Sequence, residues 1–329
     1  MSDVRDHGGG LDAAIARWGG TREGWLDLST GINPVPYPVE GLTSNDWTAL
    51  PDSGASDRLT RAARAFWGVP EGADIIAAPG ASALIARLPA IAPPGAVHIP
   101  GPTYNEHAAA FRAAGREVRD QDAPAPVRVV VHPNNPDGRL HEFGPDDGFT
   151  VVDESFCDVT PEATQTARTA RPGPIVLKSF GKFWGLAGLR LGFAIGHAET
   201  LGPLAELLGP WAVAGPALRI GAQALEDRAW AEATRARLTR DSARLDRLMS
   251  GQGAALVGGT TLFRLYDVGD AAAMQERLAE GHVWSRLFPY SKRWLRLGLP
   301  APDRFGQLET ALDGTAGGAT AQPSASRRT

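Results

Sequence analysis

Six short apolar runs, at residues 75–78, 97–100, 127–131, 150–154, 174–177 and 190–195, constrain this chain more than any other feature. Most are nearly continuous in Val, Ile, Leu and Ala and do not alternate with polar residues. A strand of that kind is buried on both faces. Helical segments between the runs, at 83–88 and 105–114, supply material to cover a sheet on each side. The reading is an α/β fold with a large domain whose mostly parallel sheet is flanked by helices. Ligands of such sheets bind outside the carboxyl ends of the strands. Ser82, Asn135 and Asp153 all fall at or just after a predicted strand end.

Helical spacing also appears at 10–18, through Leu11, Ala14, Ile15 and Trp18, and at 58–67, through Leu59, Ala62, Ala63 and Phe66. Gly68 closes the second as a C′ residue. A long, Arg-rich helical pattern covers 217–248, with Glu226, Asp227, Glu232, Asp241 and Asp246 interspersed, and reads as an exposed face laced with ion pairs. Strands are expected at 260–266, 283–288 and 294–299, forming a smaller α+β domain. The division read from the sequence is a large domain at 40–210, and a small domain with an N-terminal closing segment at 211–313 and 1–39. Residues 314–329, rich in Gly, Ala, Ser and Thr, are expected to be a disordered tail.

At 329 residues the chain can bury a large core, and its net charge of −4 argues against nucleic acid or an anionic membrane as partner. No apolar run approaches the roughly 20 residues of a membrane span. The polar start, with Asp3 and Asp6, has no apolar signal segment. Cys157 is the single cysteine, so no internal disulfide is possible and a reducing, cytoplasmic setting is expected.

The chemistry concentrates in four places. Lys182 lies in Ser179-Phe180-Gly181-Lys182-Phe183-Trp184-Gly185, an apolar, Gly-rich stretch where lysine is unusual without a task. Burial there lowers a lysine pKa and suits reaction with an aldehyde. Asp153 ends the run Val151-Val152-Asp153-Glu154, where a carboxylate needs a partner. The loop His132-Pro133-Asn134-Asn135-Pro136-Asp137-Gly138 reads as a turn. Pro79-Gly80-Ala81-Ser82 reads as a strand-to-helix turn whose backbone can approach a phosphate.

In this order and spacing the four segments resemble the fold-type I pyridoxal-phosphate enzymes, the aminotransferase class I/II superfamily. The resemblance implies pyridoxal 5′-phosphate as cofactor and no metal. It implies that Lys182 holds the cofactor as an imine and that Asp153 pairs with the ring nitrogen. Asn135 would donate to the phenolic oxygen and Tyr104 would stack on the ring. Gly80, Ala81, Ser82, Ser179 and Arg190 would cradle the phosphate. A homodimer is implied as well. The chain departs from the pattern at Gly181, where Ser or Thr is frequent, at His132 and Asp137 in the asparagine loop, and at Leu50, where many relatives carry a tyrosine that reaches the neighbouring subunit's cofactor.

The ends of the chain narrow the reaction. Leu28-Ser29-Thr30-Gly31-Ile32-Asn33-Pro34, and the run from Val283 through Arg286 to Trp294-Leu295-Arg296-Leu297-Gly298, resemble the threonine-phosphate decarboxylases of cobalamin biosynthesis. That implies a small phosphorylated amino acid as substrate, gripped at its carboxylate by Arg296. Arg286 and His7 are candidates for its phosphate, and Asn33 for closing over its carboxylate. A histidinol-phosphate-type aminotransferase is the alternative on the same scaffold.

Overall fold

The computed structural model describes residues 8–121, 124–145 and 148–314. His7 and the expected tail from residue 315 lie outside the described residues.

Helix Leu11–Trp18 and the two-residue strand β1 (Leu26–Asp27) open the chain. The large sheet holds seven strands: β2 (Asp74–Ala78), β3 (Val97–His98), β4 (Val118–Arg119), β5 (Val127–Val131), β6 (Phe149–Asp153), β7 (Ile175–Ser179) and β8 (Gly192–Gly196). Their order across the sheet is β2-β8-β7-β6-β5-β3-β4. All neighbours pair in parallel except β8, which runs antiparallel to both β2 and β7. Burial on both faces explains the unbroken apolar runs. Val130, Val152, Val176 and Phe193 join one apolar cluster. Their strand neighbours Val129, Val151, Leu177 and Ala194 join a second cluster on the opposite face.

The second sheet is antiparallel, in the order β12-β13-β10-β9, built from β9 (Ala255–Thr260), β10 (Phe263–Asp267), β12 (Arg286–Phe288) and β13 (Ser291–Gly298). The short β11 (Val283–Trp284) pairs with β1, which stitches the N-terminal segment to this unit. The single strand expected at 260–266 is the end of one strand and most of the next. The Thr260 hydroxyl accepts from the Leu262 amide at 3.1 Å in the turn between them.

The pattern at 217–248 is likewise two helices, Gly215–Glu226 and Arg228–Gly251. Asp227 breaks it by capping the second helix, its Oδ1 accepting from the Trp230 amide at 2.9 Å. The first of the pair corrects the expectation of an exposed face. Leu218, Ile220, Ala222 and Leu225 are buried, and the helix packs on Ser53–Trp67. Among the described residues, no helix is long and apolar enough to cross a membrane.

Candidate active site

The carboxyl ends of β5, β6 and β7 converge with the Gly80 turn on two cavities that share a wall. The inner one, of about 220 Å³, is lined by Ala81, Ser82, Tyr104, Asn135, Asp153, Ser179, Lys182 and Arg190. The outer one, of about 380 Å³, shares Tyr104, Asn135 and Lys182 and adds Arg286 and Arg296. Side chains far apart in the sequence, Ser82 and Arg296 among them, are therefore gathered around one amine.

At the floor of the inner cavity Asp153 is almost fully buried. Its Oδ1 accepts from the Ser155 amide at 3.0 Å and hydroxyl at 2.5 Å. Its Oδ2 lies 2.8 Å from His107 Nε2. An ionised carboxylate only accepts, so Nε2 carries the proton. Burial pushes the Asp153 carboxyl up, but the bonds from His107 and Ser155 outweigh it and hold the group below the usual carboxylate range. His107 escaped the sequence reading. It sits one turn after Tyr104, with ring centroids 6.1 Å apart, and that spacing was the available signal.

The opposite end of the cavity is built from Ser82, Ser179 and Arg190. Arg190, in the left-handed region at φ 51°, donates from Nη2 to the Ser82 hydroxyl at 2.9 Å. Gly80 is required beneath it. At φ 88° a Cβ there would stand 2.5 Å from Arg190 Nη2. Gly181 has a local cause too, because a Cβ would press on Ala187 Cα at 3.3 Å. The Gly181 amide donates to the Ser179 hydroxyl at 3.3 Å.

Lys182 stands at the junction of the cavities, its Nζ 5.3 Å from the centroid of the Phe156 ring. Burial, then the positive charges of Arg296 and Arg190, lower its pKa to about 8 against the pull of Asp153. Tyr104, on the shared wall, is pushed up to about 12 by burial and by the charges of Asp153 and Glu106.

In the outer cavity Arg296 is nearly buried and donates from Nη2 to the Ser29 carbonyl at 2.7 Å and from Nη1 to Asn135 Oδ1. That contact fixes the Asn135 amide with Nδ2 as its far end. Arg286 lies directly across the ladder from Arg296 in the β12–β13 register. Asn33 is placed elsewhere than expected. It lines neither cavity. Its Nδ2 donates to the Phe183 carbonyl at 2.8 Å, and its Oδ1 accepts from Arg237 Nη2 at 2.5 Å and from the Val35 amide at 3.1 Å. Both amide ends are used within the protein, one tying the N-terminal segment to the lysine loop and the other to the helix Arg228–Gly251. Gly8, the residue after His7, does line the outer cavity, while Leu50 is exposed and lines neither.

The family model described as aminotransferase class I and II matches residues 145–313. The chain is 40% identical to a threonine-phosphate decarboxylase from Sinorhizobium, over 94% of this chain and 98% of the relative. It is 39% identical to one from Pseudomonas aeruginosa, over 94% and 97%. The solved histidinol-phosphate aminotransferase from Sinorhizobium meliloti, in complex with pyridoxal-5′-phosphate, superposes with a TM-score of 0.80 over 94% of each chain. At 17% identity, that likeness concerns the fold alone.

Proposed function

The chain belongs to the aminotransferase class I and II family, and on that premise we propose that it uses pyridoxal 5′-phosphate to decarboxylate L-threonine O-3-phosphate. The product is (R)-1-aminopropan-2-yl phosphate, a step of cobalamin biosynthesis. One observation carries the substrate class. Among the described residues, the outer cavity is lined by three cations, Lys182, Arg286 and Arg296, and by no carboxylate. Two arginines opposed on neighbouring strands make a place that favours an anion between them. A phosphorylated amino acid brings a carboxylate and about 1.5 to 2 further negative charges to that place.

The inner cavity fits the cofactor in its chemistry. Lys182, with its lowered pKa, is the amine that carries it. Asp153, ionised and held by His107, is the acceptor for a pyridinium N–H. Ser82, Ser179 and Arg190 face its phosphate, and the Gly80 turn leaves room that any Cβ would take. When bound, pyridoxal 5′-phosphate supplies an electron-accepting ring for the pair left when the Cα–carboxylate bond breaks.

The remaining work falls to side chains. Arg296 grips the substrate carboxylate with its guanidinium fork, and Arg286 takes the phosphate. Held at both anionic ends, the substrate would be fixed in one orientation at Lys182. Lys182 Nζ, at the junction, returns a proton to Cα after CO₂ leaves. A homodimer completes the reading, and the exposed Leu50 and Trp211 on either side of Leu218 support a partner surface.

The test is to incubate the cofactor-loaded protein with L-threonine O-3-phosphate, without a keto acid, and follow CO₂. Release over many turnovers supports the decarboxylase. No CO₂, with conversion of the cofactor to its amine form by histidinol phosphate, would instead make this an aminotransferase.

A further inference from the structure

Behind the sheet, on the face away from both cavities, lies a buried charged network that the reaction does not touch. Side chains alternate along a strand, so Glu154 and Lys178 point away from the face that presents Asp153 and Ser179. Lys178 Nζ is 2.5 Å from Glu154 Oε2 and 3.8 Å from Asp158 Oδ1, and all three residues are buried. Glu154 also accepts from the Thr164 hydroxyl at 2.6 Å and the Gln165 amide at 2.5 Å. Asp158 accepts from Trp67 Nε1 at 2.8 Å and from Trp184 Nε1 at 3.1 Å, and Arg235 Nε donates to its backbone carbonyl at 2.7 Å.

Trp184 is two residues from Lys182 and fully buried. Its ring is stacked between Phe180, at 5.1 Å, and Trp230, at 5.4 Å. Stacking fixes the plane of an indole but lets it slide and turn within that plane. The bond to Asp158 supplies the in-plane anchor. The backbone of the lysine loop is held on the other side by Asn33, whose amide donates to the Lys182 carbonyl at 3.0 Å. Asp158 and Asn33 therefore grip the loop from two directions.

We propose that Asp158 is a positioning residue for Lys182, holding the lysine loop through Trp184 while Glu154 and Lys178 brace Asp153 and Ser179 from behind. The proposal rests on Lys182 being the cofactor lysine. A buried carboxylate kept on two indoles and one lysine is a costly way to fill a core. An accurate placement of the reacting amine is what it returns, since a shift of about 1 Å at a reacting group can cost roughly 100-fold in rate.

Two full-length variants test this. Trp184→Phe keeps an aromatic ring in the stack and removes the N–H together with the indole's second ring. Asp158→Asn keeps the shape and removes the charge. The readout is the pH dependence of reductive methylation of Lys182 in the cofactor-free protein, followed by peptide mass spectrometry. Arg190, Arg286, Arg296, Asp153 and Tyr104 surround that amine and remain in both variants. A loosened loop lets water reach Nζ, so the midpoint should rise by roughly half a pH unit or more. In the loaded enzyme kcat should fall roughly tenfold, with KM within about twofold. A Trp184→Phe protein with wild-type midpoint and kcat would reduce Asp158 to a core residue. Should Asp158→Asn not fold, Trp184→Phe decides alone, because it retains every charge. The decarboxylase reading is judged separately, by CO₂ release from the wild type.

Discussion

The Nε2 of His107 and the Oδ2 of Asp153 lie 2.8 Å apart, both side chains sealed from solvent. His107 Nδ1 is buried without a hydrogen-bond partner, so this bond and the Tyr104 contact fix the ring. His107→Phe keeps the volume and removes the donor. It should cost about 2 kcal/mol at pH 7. The sign follows from Asp153, whose folded pKa is depressed. Its stabilisation is present above the unfolded value of about 3.9 and is lost as pH falls through the lower folded value. Urea unfolding at a series of pH values should therefore show the gap closing below about pH 4. A gap of constant size would mean that packing, not the carboxylate, is what His107 supports.

Lys182 gives a dependence of the same sign from the opposite cause, because its surroundings disfavour the charged form. Its folded pKa, about 8, is below that of a free lysine. Below pH 8 both folded and unfolded chains carry the proton, and the folded state bears the full cost of a charge in a cationic cavity. Between about 8 and 10.4 the unfolded chain binds more protons, so stability rises with pH. Lys182→Met should stabilise the cofactor-free protein at pH 7 by on the order of 2 kcal/mol, allowing for the partial exposure of the amine. That advantage should shrink towards pH 10. An advantage equal at both ends would show that the amine is not electrostatically strained. The same variant should lose the absorbance of lysine-bound cofactor and all turnover.

What the sequence disclosed was local. A strand end carrying Asp153 and a Gly-rich loop carrying Lys182 are read from a few adjacent residues, because burial and backbone geometry act over that range. His107 was hidden because its partner is 46 residues away, and a lone histidine on a helix resembles any core residue. Asn33 was misplaced for a related reason. Whether its loop closes on a ligand or on the protein depends on Phe183 and Arg237, which the local sequence does not mention. The opposition of Arg286 and Arg296 depends on a ladder whose register shifts between Leu287 and Phe288, so counting residues between strands does not give it. Asp227 broke a helical pattern with no glycine or proline to announce it.

Gly185 is where the lysine loop meets the N-terminal segment. At φ 69° an added Cβ would stand 2.7 Å from Pro36 Cα and 2.9 Å from the Asn33 carbonyl oxygen, both backbone atoms that cannot swing aside. Gly185→Ala should destabilise by about 2–4 kcal/mol, combining left-handed strain with overpacking. Because Asn33 holds the Lys182 carbonyl, cofactor affinity should fall as well. A denaturation midpoint equal to wild type would show that the segment docks more loosely than this contact requires.

Arg286 carries a prediction about binding. It faces Arg296 across the ladder, and like charges so placed cost several tenths of a kcal/mol. Arg286→Gln removes that like-charge contact. The same change removes the cation assigned to the substrate phosphate. Loss of one charge-assisted contact should raise KM for L-threonine O-3-phosphate roughly 10- to 100-fold and weaken competitive inhibition by inorganic phosphate in proportion. Arg296→Gln should cost stability as well as binding. Arg296 is nearly buried and bonded to Asn135 and to the Ser29 carbonyl, so its removal strands both acceptors and should destabilise. If Arg286→Gln kept its KM and its sensitivity to phosphate, the phosphate would have to be held by another group at the mouth of the cavity. The pairing of the two arginines would then serve the carboxylate alone.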